Sequence, residues 1–293
     1  MEISDRLIED VLGEPIRIKN VAPVFGGDIN SSYRISLSDG RSLFIKTNTR
    51  EAYDNFEAER IGLDAIYATG TIKVPKLIGS GLADDGAFLL MEYVESAGRK
   101  KDFWENFGHT LASMHQADTT RFIKEGKFGF DSDNYIGSGR QINTPKESWI
   151  TFFRECRLLP QIKRAERYFD DHEKRAFEKL LSHLDDILCE PDAPSLIHGD
   201  LWSGNFITGN DGEAWLIDPA VYVGDSEADI AMTELFGGYD FRFYESYKES
   251  GLLRAGYEDR RDLYNLYHML NHLNLFGSGY LPAVMQILSK YTC

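Results

Sequence analysis

The stretch that decides the fold reads His198-Gly-Asp-Leu-Trp-Ser-Gly-Asn205, and Asp218 follows thirteen residues later in Leu-Ile-Asp-Pro-Ala. Between them, two short apolar runs enclose the turn signal Gly209-Asn-Asp-Gly212. Such runs around a glycine-containing loop of this length predict a β-hairpin. Antiparallel pairing brings the open ends of a hairpin within about 5 Å of each other. The sequence therefore predicts that Asn205 and Asp218 converge and offer two oxygen atoms to a hard cation.

These residue types are the ones that phosphoryl transfer requires. Their spacing fits the kinase catalytic-loop pattern H-x-D-L-x-x-x-N, followed by a second metal-binding aspartate. Asp200 is the predicted catalytic base for the attacking hydroxyl, and Asn205 and Asp218 are the predicted Mg²⁺ ligands beside the triphosphate of ATP. The alternative is a buried turn in which Asp200 caps a helix and Asp218 ends a strand. Because all four spacings agree, the sequence favours the kinase interpretation.

Two features nearer the N-terminus indicate nucleotide binding. Gly26 and Gly27 lie between predicted strands, and glycine lets backbone amides approach phosphate oxygens closely. Alone, such a pair is more typical of a plain turn. Lys46 ends the apolar strand Leu43-Phe-Ile45, which matches the V-A-I-K context of the lysine that contacts the α- and β-phosphates. The alternative for Lys46 is a solvent-exposed lysine on an edge strand.

Glu59 is the predicted partner of Lys46. In the helix predicted over residues 54–69, Glu59 shares a face with apolar side chains at −3, +4 and +7. A glutamate inside an apolar stripe needs a partner, because a buried unpaired charge is costly. Glu57 lies away from that stripe, so the sequence favours Glu59.

The coarse pattern predicts an α+β protein with two lobes. Strands dominate an N-terminal nucleotide-binding lobe, residues 1–95, and helices dominate a C-terminal catalytic and substrate lobe, residues 96–293. The predicted strands include Lys73-Val-Pro75. Predicted helices cover residues 148–188, with a break or kink at Pro160, and residues 257–275 and 281–291.

Composition excludes several classes of protein. Asp plus Glu number 47 against 32 for Lys plus Arg, a net charge of −15, which disfavours a general nucleic-acid or anionic-membrane surface. Three scattered cysteines are too few for a disulfide framework or a zinc site. The N-terminus lacks the regions of a signal peptide, and no apolar run is long enough to span a membrane. We expect a soluble cytoplasmic protein.

Several stretches together resemble the fructosamine kinase (ketosamine 3-kinase) family. The resemblance covers most of the chain. It implies a bilobal protein-kinase-like fold, ATP and Mg²⁺, and phosphorylation of the C3 hydroxyl of ketosamines, small or protein-bound. The phosphorylated adduct then eliminates and frees the amine, which is deglycation. The stretches that carry it are His198–Asn205, Phe25–Asn30, Lys73–Lys76, Leu111–His115, Phe128–Gly137, Gln141–Asn143, Ile217–Glu227 and Asp229–Met232.

The same resemblance suggests further roles. Trp202 separates this chain from the wider aminoglycoside and choline phosphotransferases, and it is predicted to stack on the sugar or its amine substituent, with plain packing as the alternative. Asp229 resembles the aspartate that anchors the catalytic loop. The segment containing Met91 and Tyr93 resembles the inter-lobe strand whose backbone binds adenine.

Two other functions stay open at this point. One is a small-molecule kinase acting on an aminoglycoside or amino alcohol, and the other is a non-catalytic nucleotide-binding module. The short spacing from Asp218 to Asp229 leaves no room for a long activation segment, which disfavours a regulated protein kinase. Sequence assigns no role to His115, Gln141 or Asn143, and does not fix the preferred ketosamine or the oligomeric state.

Overall fold

An antiparallel sheet occupies the N-terminal part of the chain. The computed structural model describes residues 1–25 and 30–292. Its strands are β1 (Ile18–Val24), β2 (Ser31–Leu37), β3 (Ser42–Asn48), β4 (Leu77–Ala83) and β5 (Gly86–Glu92). They pair in the order β1-β2-β3-β5-β4. The turn that joins β2 and β3 contains Ser38-Asp-Gly40.

Two helices pack with this sheet. Helix α1 (Asp5–Leu12) begins at Ser4, whose side chain accepts a hydrogen bond from Leu7 N, and ends at Gly13 in the left-handed conformation. Helix α2 (Tyr53–Thr69) ends at Gly70, as predicted. The apolar stripe of α2 is buried, which confirms the face on which Glu59 was placed. The apolar core on the α1 side consists of Ile8, Ile16, Ile35, Leu37, Leu43, Ile45, Phe88 and Leu90.

The rest of the chain is mainly helical. It contains helices α3 (Phe103–His115), α4 (Trp149–Phe152), α5 (Leu159–Ala165), α6 (Asp171–Ser182), α7 (Leu184–Ile187), α8 (Ser226–Glu234), α9 (Phe241–Lys248), α10 (Tyr257–Phe276) and α11 (Leu281–Thr292). A π-helix, Phe153–Leu158, links α4 to α5. Short 3₁₀ helices span Arg50–Ala52, Glu166–Tyr168, Leu235–Gly237 and Ser278–Tyr280. In the described part of the chain, no helix is long and apolar enough to cross a bilayer.

Three small antiparallel pairs of strands lie beyond residue 130. They are β6 (Asn134–Ile136) with β7 (Gly139–Gln141), β8 (Ser195–Ile197) with β11 (Tyr222–Gly224), and β9 (Phe206–Thr208) with β10 (Ala214–Leu216). The β9–β10 pair is the predicted hairpin. Gly212 N donates to Gly209 O at 2.8 Å in its turn.

The chain divides into two compact units. One unit comprises Met1–Phe103 and Ile207–Asp218, and the other comprises Trp104–Phe206 and Pro219–Cys293. The hairpin segment therefore groups with the strand-rich unit although it follows the catalytic loop in sequence. The predicted lobe division at residue 95 stays a prediction.

One local prediction differs from the structure. Lys73-Val-Pro75 is not a strand, and Lys73 makes only an isolated bridge to Trp215. The physical reason is that Pro75 lacks the amide that a strand ladder needs. The helical run continues from Trp149 to Ala165, and Pro160 lies just after its π-helical stretch Phe153–Leu158. This irregularity agrees with the break or kink predicted at Pro160, because a proline inside a helix removes one backbone hydrogen bond.

Candidate active site

A buried lysine in the strand-rich unit contacts two carboxylates, and these three residues are called the Lys46 cluster below. Lys46 is the fifth residue of β3, and its side chain is 9% exposed. Lys46 Nζ donates to Glu59 Oε1 at 2.7 Å and to Asp218 Oδ1. Glu59 comes from α2, and Asp218 follows the β9–β10 hairpin. Three separate elements therefore bring one ammonium group and two carboxylates together.

Burial and charge determine the protonation of this cluster. Burial lowers the pKa of Lys46, but the carboxylates of Asp218 and Glu59 outweigh that effect and leave the pKa above its ordinary value. Lys46 is therefore a cation. Burial raises the pKa of Glu59 to about 7, and the Asp218 carboxylate acts in the same direction while Lys46 opposes both. Burial therefore favours the protonated form of Glu59 more than in a solvent-exposed glutamate.

The backbone at Asp218 adopts an uncommon conformation. Its φ is 55°, in the left-handed region that few residues other than glycine and asparagine or aspartate enter. The Asp218 side chain is 43% exposed, so its carboxylate also faces solvent. Backbone strain of this kind persists where the surrounding structure imposes it, and it is frequent at functional sites.

The helical unit holds the predicted base and a carboxamide side by side. Asn205 is 6% exposed, and its Nδ2 donates to Asp200 O at 2.8 Å and to Asp200 Oδ2 at 3.0 Å. The half-buried Asp200 carboxylate is thus oriented by its neighbour in the same loop. Because both Nδ2 hydrogens are used, the amide oxygen is the atom that Asn205 has to offer a cation.

The start of the catalytic loop is anchored by a buried aspartate. Asp229 of α8 accepts hydrogen bonds from His198 N at 2.7 Å and Gly199 N at 2.8 Å. His115 Nε2 lies 3.1 Å from Asp229 Oδ2, and its Nδ1 lies 2.7 Å from the Tyr247 hydroxyl. Burial would raise the pKa of Asp229, but the bonds from His115 and Gly199 and the nearby His198 leave the pKa below its ordinary value. Asp229 is the structural anchor that the sequence predicted, and His115, to which sequence gave no role, braces it.

Glycine is required at the second position of this loop. Gly199 has a φ of +81°, and a Cβ built there would lie 2.2 Å from the carbonyl oxygen of Ala220. Any side chain would force the loop away from the segment that leads into β11. His198 is fully buried, and its Nδ1 accepts a hydrogen bond from Asp200 N at 3.3 Å, so it braces the loop from within.

Trp202 lies on the surface of the helical unit, 37% exposed. Its ring meets Phe236 edge to face at a centroid distance of 6.2 Å. Tyr239 Oη donates to Leu201 O at 3.4 Å and to Trp202 O at 3.2 Å, so the backbone under the indole is also held. An exposed indole fixed in this way is available for stacking, and its predicted contact with substrate stays a prediction. Neither Phe236 nor Tyr239 carries a motif that could have marked it in the sequence.

The structure describes two of the four remaining residues predicted to bind nucleotide. Gly26 and Gly27 lie outside the described residues. Met91 is a buried residue of β5, and Tyr93 follows that strand, with the Arg34 guanidinium 4.4 Å above its ring. Tyr93 N already donates to Ser42 O at 3.2 Å. The assignment of Met91 and Tyr93 to adenine binding stays a prediction.

The donor chemistry suits Mg²⁺ held jointly with phosphates. Within residues 1–25 and 30–292, no group of three or more His, Cys, Asp or Glu is arranged to hold a metal alone. Mg²⁺ in kinases takes one or two protein side chains, substrate phosphates and water. The Asp218 carboxylate and the Asn205 amide oxygen are oxygen donors of that kind. Asn205 belongs to one compact unit and Asp218 to the other, and their predicted convergence stays a prediction.

The fold and the comparisons with known proteins together define a class: the chain is a phosphotransferase with a protein-kinase-like fold. More specifically, it belongs to the fructosamine kinase family, whose sequence profile matches residues 1–292. A probable ketoamine kinase from Synechocystis sp. is 40% identical over 286 residues, covering 97% of this chain and 94% of that protein. The chloroplastic protein-ribulosamine 3-kinase of Arabidopsis thaliana is 40% identical over 285 residues, covering 95% and 84%.

Solved structures agree with this assignment. A candidate fructosamine-3-kinase from Haemophilus somnus 129PT superposes with a TM-score of 0.87 at 27% identity, covering 99% of this chain and 96% of that one. The fold and family predicted from sequence are therefore confirmed.

Proposed function

We propose that this protein is an ATP-dependent ketosamine 3-kinase. It transfers the γ-phosphoryl group of ATP to the C3 hydroxyl of an amine–ketose adduct of the fructosamine or ribulosamine type, free or on a protein lysine. Its family membership, together with relatives named for ketoamine and ribulosamine kinase activity at 40% identity, supports the proposal most strongly. Free thiols at Cys156 and Cys189 suit a reducing compartment, and we place the reaction in the cytoplasm.

Asp200 is the proposed base. Its carboxylate accepts the proton of the C3 hydroxyl as the new oxygen–phosphorus bond forms and the bond to the departing ADP breaks. The two hydrogen bonds from Asn205 hold Asp200 in one orientation, and Asp229 fixes the backbone just before it. Because phosphoryl transfer is loose, Asp200 contributes mainly by orienting the hydroxyl.

Lys46 is the proposed contact for the α- and β-phosphates. The Glu59 carboxylate, 2.7 Å away, keeps the ammonium group in place. The Asp218 carboxylate accepts a hydrogen bond from the same ammonium group. We propose that Asp218 and Asn205 hold Mg²⁺, which when bound neutralises charge on the transferring phosphoryl group.

The strongest competing function is a small-molecule kinase acting on other amines, since the fold is shared by enzymes with different acceptors. A panel of fructosyl-lysine, ribulosyl-lysine, kanamycin and choline, assayed for ATP consumption, separates the two. We expect turnover on the ketosamines, with phosphorus NMR placing the phosphate at C3, and little on the others. Robust turnover of kanamycin or choline, with none on any ketosamine, would overturn the proposal.

A further inference from the structure

Three buried amide side chains in the helical unit bond to one another and to nearby backbone. Asn134, Gln141 and Asn143 are 4%, 2% and 1% exposed. Burying a polar group costs free energy unless its donors and acceptors are paired. The partners of these amides therefore show what the group holds in place.

Two of the amides hold successive backbone carbonyls. Gln141 Nε2 donates to Ala220 O at 3.0 Å and to Asn134 Oδ1 at 2.7 Å, while Asn134 Nδ2 donates to Val221 O at 2.7 Å. The acceptor side of Gln141 is satisfied by the Tyr267 hydroxyl, which donates to Oε1 at 2.6 Å. The amide pair is thus locked in one orientation, with its donors directed at the chain after Pro219.

A buried arginine braces the third amide. Arg157, in the π-helix, is fully buried, and its Nη2 donates to Asn143 Oδ1 at 2.7 Å while Nη1 donates to Ile142 O at 2.6 Å. Its guanidinium lies 3.7 Å from the centre of the Tyr222 ring. It makes no ion pair with a carboxylate among the residues that the structure describes, so carbonyl dipoles and an aromatic face balance its charge. Asn143 Nδ2 in turn donates to Asn134 Oδ1 at 2.9 Å.

The carbonyls held by this group lie beside the catalytic loop. Ala220 N donates to His198 O at 2.9 Å, two residues before Asp200. Strand β11, which follows Val221, pairs with β8, which leads into His198. Ala220 is also the second residue after Asp218 in the chain. The three buried amide side chains therefore fix a segment of backbone that is hydrogen-bonded to the catalytic loop of Asp200. The same segment follows Asp218, the proposed metal ligand, directly in the chain.

We propose that Gln141, Asn134 and Arg157 are positioning residues for phosphoryl transfer. Gln141 and Asn134 bond to the carbonyls of Ala220 and Val221, and Arg157 supports them through Asn143. The backbone held in this way sets the position of the catalytic loop. The inference rests on the proposed function, since it takes Asp200 as the base. A displacement of about 1 Å in a catalytic group can lower the rate on the order of a hundredfold, so small shifts suffice.

Gln141→Met tests this, because it removes both donors while keeping the volume. We expect kcat to fall roughly ten- to a hundredfold, the effect of a displacement of up to about 1 Å in the catalytic loop, with KM for ATP changed less than about threefold. The matched control is Gln161→Met. Gln161 is equally buried at 2% exposure, and its amide donates to Asn271 of α10. It also bonds to the Tyr267 hydroxyl, so the two variants share that neighbour and differ in the bond from Gln141 to the Ala220 carbonyl. Thermal unfolding of both variants measures the general loss of stability.

The two variants separate positioning from packing. A drop in kcat for Gln141→Met well beyond that of Gln161→Met, at comparable loss of stability, supports the proposal. Equal drops in both variants, or full activity in Gln141→Met, overturns it. If Gln141→Met does not fold, Tyr267→Phe decides, because it removes only the hydroxyl that orients Gln141. We expect kcat to fall about three- to tenfold there, as for one hydrogen bond, and unchanged kcat would overturn the proposal.

Failure of the proposed function remains distinguishable from failure of this inference. If wild-type protein phosphorylates no ketosamine, the substrate assignment fails. The positioning role is then tested by the rate of ATP hydrolysis by water in wild type, Gln141→Met and Gln161→Met. A larger loss of rate in Gln141→Met than in Gln161→Met supports the proposal, and equal losses or no loss in Gln141→Met overturns it.

Discussion

Replacing Glu59 with glutamine should change how stability depends on pH. The Glu59 side chain is 13% exposed. Burial, with the Asp218 carboxylate acting in the same direction, raises its pKa from 4.5 to about 7 against the effect of Lys46. Between these values the folded state keeps a proton that the unfolded chain has released. The stability that depends on this proton is complete below pH about 4.5 and is lost as pH rises through about 7.

The size of the effect follows from the two pKa values. A difference from 4.5 to about 7, at about 1.4 kcal/mol for each pH unit, corresponds to about 3 kcal/mol of folding free energy. Glutamine is neutral throughout and lacks this term. Relative to wild type, the Glu59→Gln variant should therefore gain about 3 kcal/mol in free energy of unfolding between pH 4 and pH 8.

Urea unfolding at several pH values, without nucleotide or Mg²⁺, measures this difference. Glu57→Gln is the matched control, because Glu57 lies on the same helix and bonds with Arg60 and Ser80, away from Lys46. If the free energy of unfolding depends on pH in the same way in wild type and Glu59→Gln, the proton uptake assigned to Glu59 is refuted. A gain of the same size in Glu57→Gln would show that the effect belongs to the helix and not to the Lys46 cluster.

The other predictions concern catalysis, metal and acceptor. Asp200→Asn should fold normally and bind ATP but lose roughly a hundredfold or more in kcat, and near-normal turnover in the folded variant would remove Asp200 from the mechanism. Asn205→Ala and Asp218→Ala should both weaken Mg²⁺-dependent ATP binding, measured by calorimetry, and Asp218→Ala should have the larger effect because it removes a charge. Unchanged Mg²⁺ dependence in Asp218→Ala would rule out Asp218 as a metal ligand. Trp202→Ala should raise KM for a ketosamine about tenfold, as for loss of a stacking contact, with KM for ATP unchanged. Equal effects on both KM values would indicate a packing role.

The sequence predicted those parts of the site whose side chains follow a period or a local motif. Glu59 could be chosen over Glu57 because a helix has a fixed period and a glutamate in an apolar stripe needs a partner. The β9–β10 hairpin could be predicted because its turn residues and flanking runs are local. Asp229 was placed by family resemblance, and its two bonds to the loop backbone agree with that placement.

The parts that sequence could not predict depend on contacts between distant segments. Gln141 meets Ala220 and Tyr267 only after the helical unit has folded, and an isolated glutamine carries no signal of such partners. His115 received no role from the sequence, because its bond to Asp229 joins positions 114 residues apart. The strand predicted at Lys73-Val-Pro75 was wrong for the opposite reason. Its local pattern favoured a strand, but Pro75 has no amide hydrogen for a strand ladder, and Lys73 forms an isolated bridge to Trp215.

Gly199 has a consequence for how this enzyme can be controlled. Many protein kinases carry arginine at this position of the catalytic-loop pattern, and in kinases arginines pair with phosphorylated residues of the activation loop to order it. Here the Ala220 carbonyl fills the space that any Cβ would need, and the backbone has a glycine conformation. A single substitution therefore cannot install an arginine without displacing the loop that carries Asp200. With Ala220 in this place, switching by phosphorylation through an arginine at this position is closed to the chain on steric grounds.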